Sequence, residues 1–177
     1  MYKTNSIHTK IAFSAIKEFL TTNSTQRIEN KKVPNELSYK AACFITLKTD
    51  TDKLRGCIGT LKPVYKNLYT EIIKNAVASA FRDNRFYPLT TEELNSIIIT
   101  VEVLFPPEKI ENISLLNPEI YGAIVADKFG RRGVLLPGIK GIDTVEDQIQ
   151  IIKNKANIRQ KTNTNLTFFR FKTEKFH

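Results

Sequence analysis

Apolar residues recur at helical spacing over 7–20, where Ile7, Ile11, Ala12, Ala15, Ile16, Phe19 and Leu20 share one side and Lys10, Lys17 and Glu18 the other. That pattern predicts a surface helix lying on a core. Residues 21–38 are polar and show no period, so they read as a loop. Alternation takes over in 41–47 and resumes at Leu54, with a charged connector between, which predicts a β-hairpin. Pairing Leu47 with Leu54, Ile45 with Gly56 and Cys43 with Ile58 puts Leu54, Gly56 and Ile58 on one face, Arg55 and Cys57 on the other. Cys43 and Cys57 then point to opposite sides, which argues against a disulfide.

Pro63 suits the start of a second helix whose buried stripe is Leu68, Ile72, Ile73, Ala76, Val77, Ala80 and Phe81. Small residues over 76–80 let this helix approach a sheet closely, at Gly56 or Gly59. Residues 82–89 end it, with Asn84 as a left-handed residue. Thr90 and Glu93 have capping-box spacing. Residues 97–105 alternate as a strand that Pro106 and Pro107 stop, with Glu102 on its solvent face or turned into a pocket as an acid or base. Five of the seven glycines fall in 122–141. There, 122–127 and 133–137 read as short strands joined by a hairpin over 128–131, and Pro137-Gly138 as a turn. Asp143 is expected to cap a helix that turns Val145, Ile149 and Ile152 inward, and 166–172 forms a last strand.

A chain of 177 residues with 41% hydrophobic content can bury a sizeable core. No apolar run approaches the roughly 20 residues that span a bilayer, and 1–10 lacks the apolar core of a signal peptide, so a cytoplasmic protein without membrane attachment is expected. The net charge of +9 is concentrated at the C-terminal end, where 153–177 carry seven basic residues against Glu174. Such a patch reads either as a solvated lysine-rich surface or as a nucleic-acid contact.

Two histidines at opposite ends and two cysteines supply neither a zinc cluster of recognisable spacing nor an iron-sulfur centre, and no phosphate loop or dinucleotide fingerprint occurs. No metal or cofactor is expected. Within Leu54-Arg55-Gly56-Cys57-Ile58-Gly59-Thr60, two glycines in a strand imply a bulge or a close approach by another backbone or a ligand. Cys57 is the one attractive nucleophile but has no evident base partner, and the commoner reading of a free cysteine is a small buried thiol. Arg55, Arg82, Arg85, Arg131 and Arg132 lie at strand ends or connections, where guanidinium groups grip carboxylates or phosphates. They are expected to line an anion-binding cleft or to pair locally, as Asp83 does with Arg82 or Arg85.

The segment Leu54-Arg55-Gly56-Cys57-Ile58-Gly59-Thr60 resembles the hallmark of the AMMECR domain family, known in prokaryotes as protein A of the AmmeMemoRadiSam system. The run Ala80-Phe81-Arg82-Asp83-Asn84-Arg85-Phe86-Tyr87-Pro88-Leu89 resembles a second family motif, Thr100-Val101-Glu102-Val103-Leu104 its central strand, and Gly130-Arg131-Arg132-Gly133-Val134-Leu135-Leu136-Pro137 a third. Near the C-terminus, Lys153-Asn154-Lys155-Ala156-Asn157-Ile158 lacks the family's cysteine and glycine, although Asn157 can keep the left-handed turn.

The resemblance implies an α+β fold with an antiparallel sheet flanked by helices. It implies one domain over 1–177, in which a larger lobe holds both termini and a smaller lobe is inserted, the two unequal subdomains forming a cleft. It also implies Memo-like and radical SAM partners, the latter bringing their own cofactor. The leading expectation is an accessory or binding domain in which Arg55, Gly56, Gly59, Thr60, Arg82, Arg85, Arg131 and Arg132 hold an anionic ligand or nucleic-acid segment. Alternatives are an enzyme using Cys57 as nucleophile or acceptor thiol, and a protein-interaction module.

Overall fold

The computed structural model describes residues 6–159 and 165–177. Its elements are α1 (Ile7–Thr22), α2 (Gln26–Glu29), β1 (Ala42–Lys48), β2 (Leu54–Gly59), α3 (Leu68–Phe81) and β3 (Ile98–Leu104). There follow β4 (Glu108–Ile110), β5 (Gly122–Asp127), β6 (Arg132–Leu135), α4 (Val145–Lys155), β7 (Leu166–Phe171) and β8 (Thr173–Phe176). They form two compact units, one of residues 1–104 with 174–177 and one of 105–173. The fold is α+β, with two four-stranded sheets. Among the described residues no helix is long and apolar enough to cross a membrane.

In the first unit the sheet order is β2-β1-β3-β8. The alternation in β1 and β3 turns Cys43, Ile45, Leu47, Ile99, Val101 and Val103 into a core shared with Ile11, Ala15 and Ile16 of α1 and Leu68, Ile72, Ile73 and Ala76 of α3. Ile16, Ile45, Leu47, Ile72 and Ile73 are completely buried, each contributing about 1.5–3 kcal/mol. Ser6 caps α1 by accepting the Thr9 N–H, and Asn23 closes it in the left-handed region at φ 53°.

The expected loop 21–38 carries α2 and a 3-10 turn at Asn35–Leu37. A single helical turn is too short to leave a period in sequence; Ile28 and Leu37, its only fully buried apolar residues, pin it to the core. The second helix begins at Leu68 rather than beside Pro63, because the Asn67 side chain accepts the Thr70 N–H and sets the cap there. The hairpin register is shifted by two from the expected one: Leu47 faces Gly56 and Ile45 faces Ile58, with an irregularity that leaves Leu54 opposite Lys48. A shift of two preserves phase, so Cys43 and Cys57 lie on opposite faces, and both are free thiols. Glu102 is buried, not solvent-facing.

In the second unit the order is β4-β7-β5-β6. Helix α4 packs on β5 and β6, and Ile110, Ala123, Val125, Leu135, Ile149, Ile152 and Phe168 form the core. A Cβ on Gly133 would meet the Ile152 carbonyl at 2.4 Å, so that glycine brings β6 against α4. Thr144, not Asp143, caps α4, its hydroxyl accepting the Asp147 N–H. Asn157 stands at φ 55°, the left-handed turn retained without glycine. β4 and β8 are three and four residues long, below what alternation can reveal. Of the basic C-terminal patch, Lys153 is buried, Arg170 pairs with Glu108, and Lys161 lies outside the described residues.

Candidate functional site

β2 is the outer strand of its sheet, so every second residue turns its main-chain groups away from β1. Cys57 is one of these. Its N–H donates to Asp83 Oδ2 at 2.8 Å and its carbonyl accepts from Arg85 Nη2 at 3.2 Å. Asp83 and Arg85 are themselves joined, Nε to Oδ1 at 2.9 Å and Nη2 to Oδ2 at 2.6 Å. The pair thus does for Cys57 what a further strand would do. Residues 83–85 reach it because α3 ends at Phe81 directly beside β2, where Asn84 does not take the expected left-handed conformation. The Asp83 side chain is 3% exposed and that of Arg85 52%. The Arg85 guanidinium, together with the Cys57 and Arg85 N–H groups, holds the Asp83 carboxyl far below the usual carboxylate range despite burial.

The close approach expected of α3 occurs at Gly56. A Cβ there would lie 2.3 Å from the Ser79 carbonyl oxygen, within the small-residue run of the helix. At Gly59 a Cβ would meet the Phe44 ring at 2.4 Å and the Cys43 carbonyl at 2.6 Å. Both glycines therefore answer to neighbouring protein atoms.

Arg55 grips Glu93 in two-pronged fashion, Nε to Oε1 at 2.6 Å and Nη2 to Oε2 at 2.9 Å. Its Nη1 is buried without a hydrogen-bond partner. Glu93 also accepts the Thr90 N–H at 2.9 Å, completing the capping box, and the Arg55 cation lowers its carboxyl. Thr60 donates its hydroxyl to Glu71, a completely buried carboxylate that also accepts the N–H groups of Val64 and Tyr65. Three donors account for this buried charge and fix the turn after β2.

The Cys57 thiol is half-buried, with Sγ 3.4 Å from the Thr46 hydroxyl on the paired strand. Cys43 differs. Burial pushes its thiol up to about 12, against a hydrogen bond from Asn75 that favours the thiolate. Neither histidine stands beside Cys57 as a base: His8 stacks on Phe176 with centroids 3.6 Å apart, and His177 Nδ1 lies 3.3 Å from the Thr100 hydroxyl. Among the described residues no group of three or more His, Cys, Asp and Glu side chains could hold a metal ion.

The arginines divide between the units. Arg55, Arg82 and Arg85 belong to the first, and only Arg82 has no side-chain hydrogen bond or ion pair among the described residues. Arg131 and Arg132 belong to the second. There Arg131 binds Asp127 at 2.6 Å and the Asn157 carbonyl at 2.9 Å, while the Arg132 guanidinium lies 5.4 Å from the Phe169 ring centroid. Burial raises the Asp127 carboxyl, but the Arg131 and Phe129 donors outweigh it and leave it lowered. The local pairing of Asp83 with Arg85 was expected from sequence; Glu93 and Asp127, which position Arg55 and Arg131, and Glu71, which holds Thr60, were not. For Glu93, capping-box spacing with Thr90 was the available signal.

A sequence profile of the AMMECR1 family matches residues 9–176. A Thermotoga maritima protein is 45% identical over 148 residues, which take in 83% of this chain and 84% of that protein. A Clostridium acetobutylicum protein is 39% identical over 153 residues, 85% of this chain but 32% of the relative, so the chain spans about a third of that protein's length. The crystal structure of an uncharacterized Pyrococcus horikoshii protein superposes with a TM-score of 0.84 at 30% identity, covering 98% of this chain and 92% of that one.

Proposed function

As the chain belongs to the AMMECR1 family, we propose that it serves as a binding or accessory domain that takes an anionic ligand at the β2 rim, beside Cys57. One observation carries the reading. Asp83 is buried while the Arg85 side chain is half-exposed, so the pair holds the guanidinium by Nε and Nη2 and leaves Nη1 without a hydrogen bond among the described residues. A cation fixed before a ligand arrives loses little freedom on binding one. Arg82, three residues before Arg85 and with no side-chain hydrogen bond or ion pair among the described residues, supplies a second charge. A phosphate group suits such donors best. Memo-like and radical SAM partners belong to this proposal as the proteins such a domain would assist.

Calorimetric titration with inorganic pyrophosphate tests it. Arg82→Ala leaves no buried acid unpaired and should weaken binding about tenfold; Arg85→Lys, which keeps charge but loses the fork, should do the same. Affinity unchanged in both variants would sink the reading.

The half-buried Cys57 thiol supports a second reading, an enzyme in which this sulfur is nucleophile or acceptor. It requires a thiol open to reagents in the folded protein.

A further inference from the structure

Within the second unit, a cavity of about 440 Å³ opens between the start of β4 and the end of β7. Tyr121 stands in its wall with the Arg170 guanidinium 4.4 Å from the ring centroid and Lys172 Nζ 5.6 Å from it. Arg170 is already bonded through two nitrogens: its Nε binds Glu108 at 2.5 Å and its Nη1 donates to the Leu115 carbonyl at 2.8 Å. The pair cancels the one acid in the lining. Lys172 makes no ion pair among the described residues, so it leaves the cavity positive.

Phe105 forms another part of the wall and is 50% exposed, a large apolar ring left to water. Its N–H donates to the Lys172 carbonyl at 3.0 Å, which holds the ring and the ammonium on adjoining stretches of backbone. An exposed aromatic ring and a cation carried on hydrogen-bonded stretches of backbone match a ligand that carries a flat ring and a negative group together. The volume lies in the range of small-ligand sites, about 300–1,000 Å³. We propose that this cavity binds a nucleotide, its base stacked on Phe105 and its phosphate at Lys172. The nucleotide is either free or one unit of a single strand.

Titration of the whole protein with adenosine monophosphate and with a six-nucleotide deoxyadenosine strand, at low salt, separates the two sources. Saturable binding of the mononucleotide identifies a free ligand; binding of the strand alone identifies nucleic acid. Phe105→Ala and Lys172→Ala should each weaken binding about tenfold, Phe105→Tyr should retain it, and Lys10→Ala, an exposed position of α1 in the other unit, should leave it unchanged. Absence of binding by both probes overturns the proposal. So does inorganic phosphate competing as well as the mononucleotide, or a loss that follows Lys10→Ala but not the two cavity variants.

Discussion

At the residue scale, the two cysteines show how burial separates chemically identical groups. Cys43 sits in the core with its thiol pushed up to about 12, while Cys57, fourteen positions on, is half-buried on the opposite face of the hairpin. Iodoacetamide applied to the native protein at pH 8 should therefore modify Cys57 alone, Cys43 reacting only after unfolding. Peptide mass spectrometry reads the outcome. A native protein with neither thiol modified would remove Cys57 from any catalytic reading. The same scale explains why Asp83, two residues from Arg85, was visible in the sequence as its partner and the distant partner of Arg55 was not. An arginine beside glycines in a strand is an unusual local pattern, whereas Glu93 stands thirty-eight residues from Arg55 in a run that looks like any helix cap.

At the element scale, the motif strand and the segment after α3 are halves of one device. Gly56 admits the helix, and Asp83 and Arg85, just past the helix end, occupy both main-chain groups of Cys57. An unprotected strand edge invites pairing with another chain, and here side chains close it. Gly56→Ala should cost roughly 2–3 kcal/mol in urea unfolding, because the new Cβ meets the Ser79 carbonyl oxygen and not a flexible side chain. Gly130→Ala, where the added atom meets nothing but φ is +84°, should cost only about 1 kcal/mol. Equal losses at both positions would show that the close approach is not what selects glycine at Gly56. Periodicity revealed the long elements, since α1, α3 and β3 each span seven or more residues, whereas α2, β4 and β8 are four residues or fewer and left no period; β6, also four residues, was legible through its glycine-marked hairpin.

At the scale of the whole molecule, the ion pairs of both units set the response to acid. Asp83, Glu93 and Glu29 in the first unit and Asp127 in the second all have folded-state carboxyls below their ordinary values. The stability they contribute is complete above the unfolded carboxylate range of about 4 and is lost as pH falls through the lower folded values. Protonation also adds to a chain that already carries +9, raising its self-repulsion. His8 acts earlier: burial lowers its imidazole, against the pull of Glu174 and Glu36, so stability declines as pH falls from about 6.5 toward its folded value. The urea midpoint should thus slope gently between pH 6.5 and 5, a slope that His8→Phe removes, and drop steeply below pH 4. A midpoint flat to pH 2 would refute this account of the carboxylates.

The sequence by itself determined the phase of the long strands, the buried stripe of α1 and α3, the separation of the two cysteines and the family, because each rests on local periodicity or on short motifs read in order. A register error of two left the facing of every hairpin residue but Leu54 intact, since side chains alternate with period two. Only the tertiary structure decided what the motif residues touch. That Arg55 closes on Glu93, that Asp83 and Arg85 cap the β2 edge, and that Glu102 is buried depend on distances across the chain that no local pattern encodes. The physical reason is that a charge's partner is chosen by which elements the core brings together, and the core is assembled by non-directional burial over the whole chain.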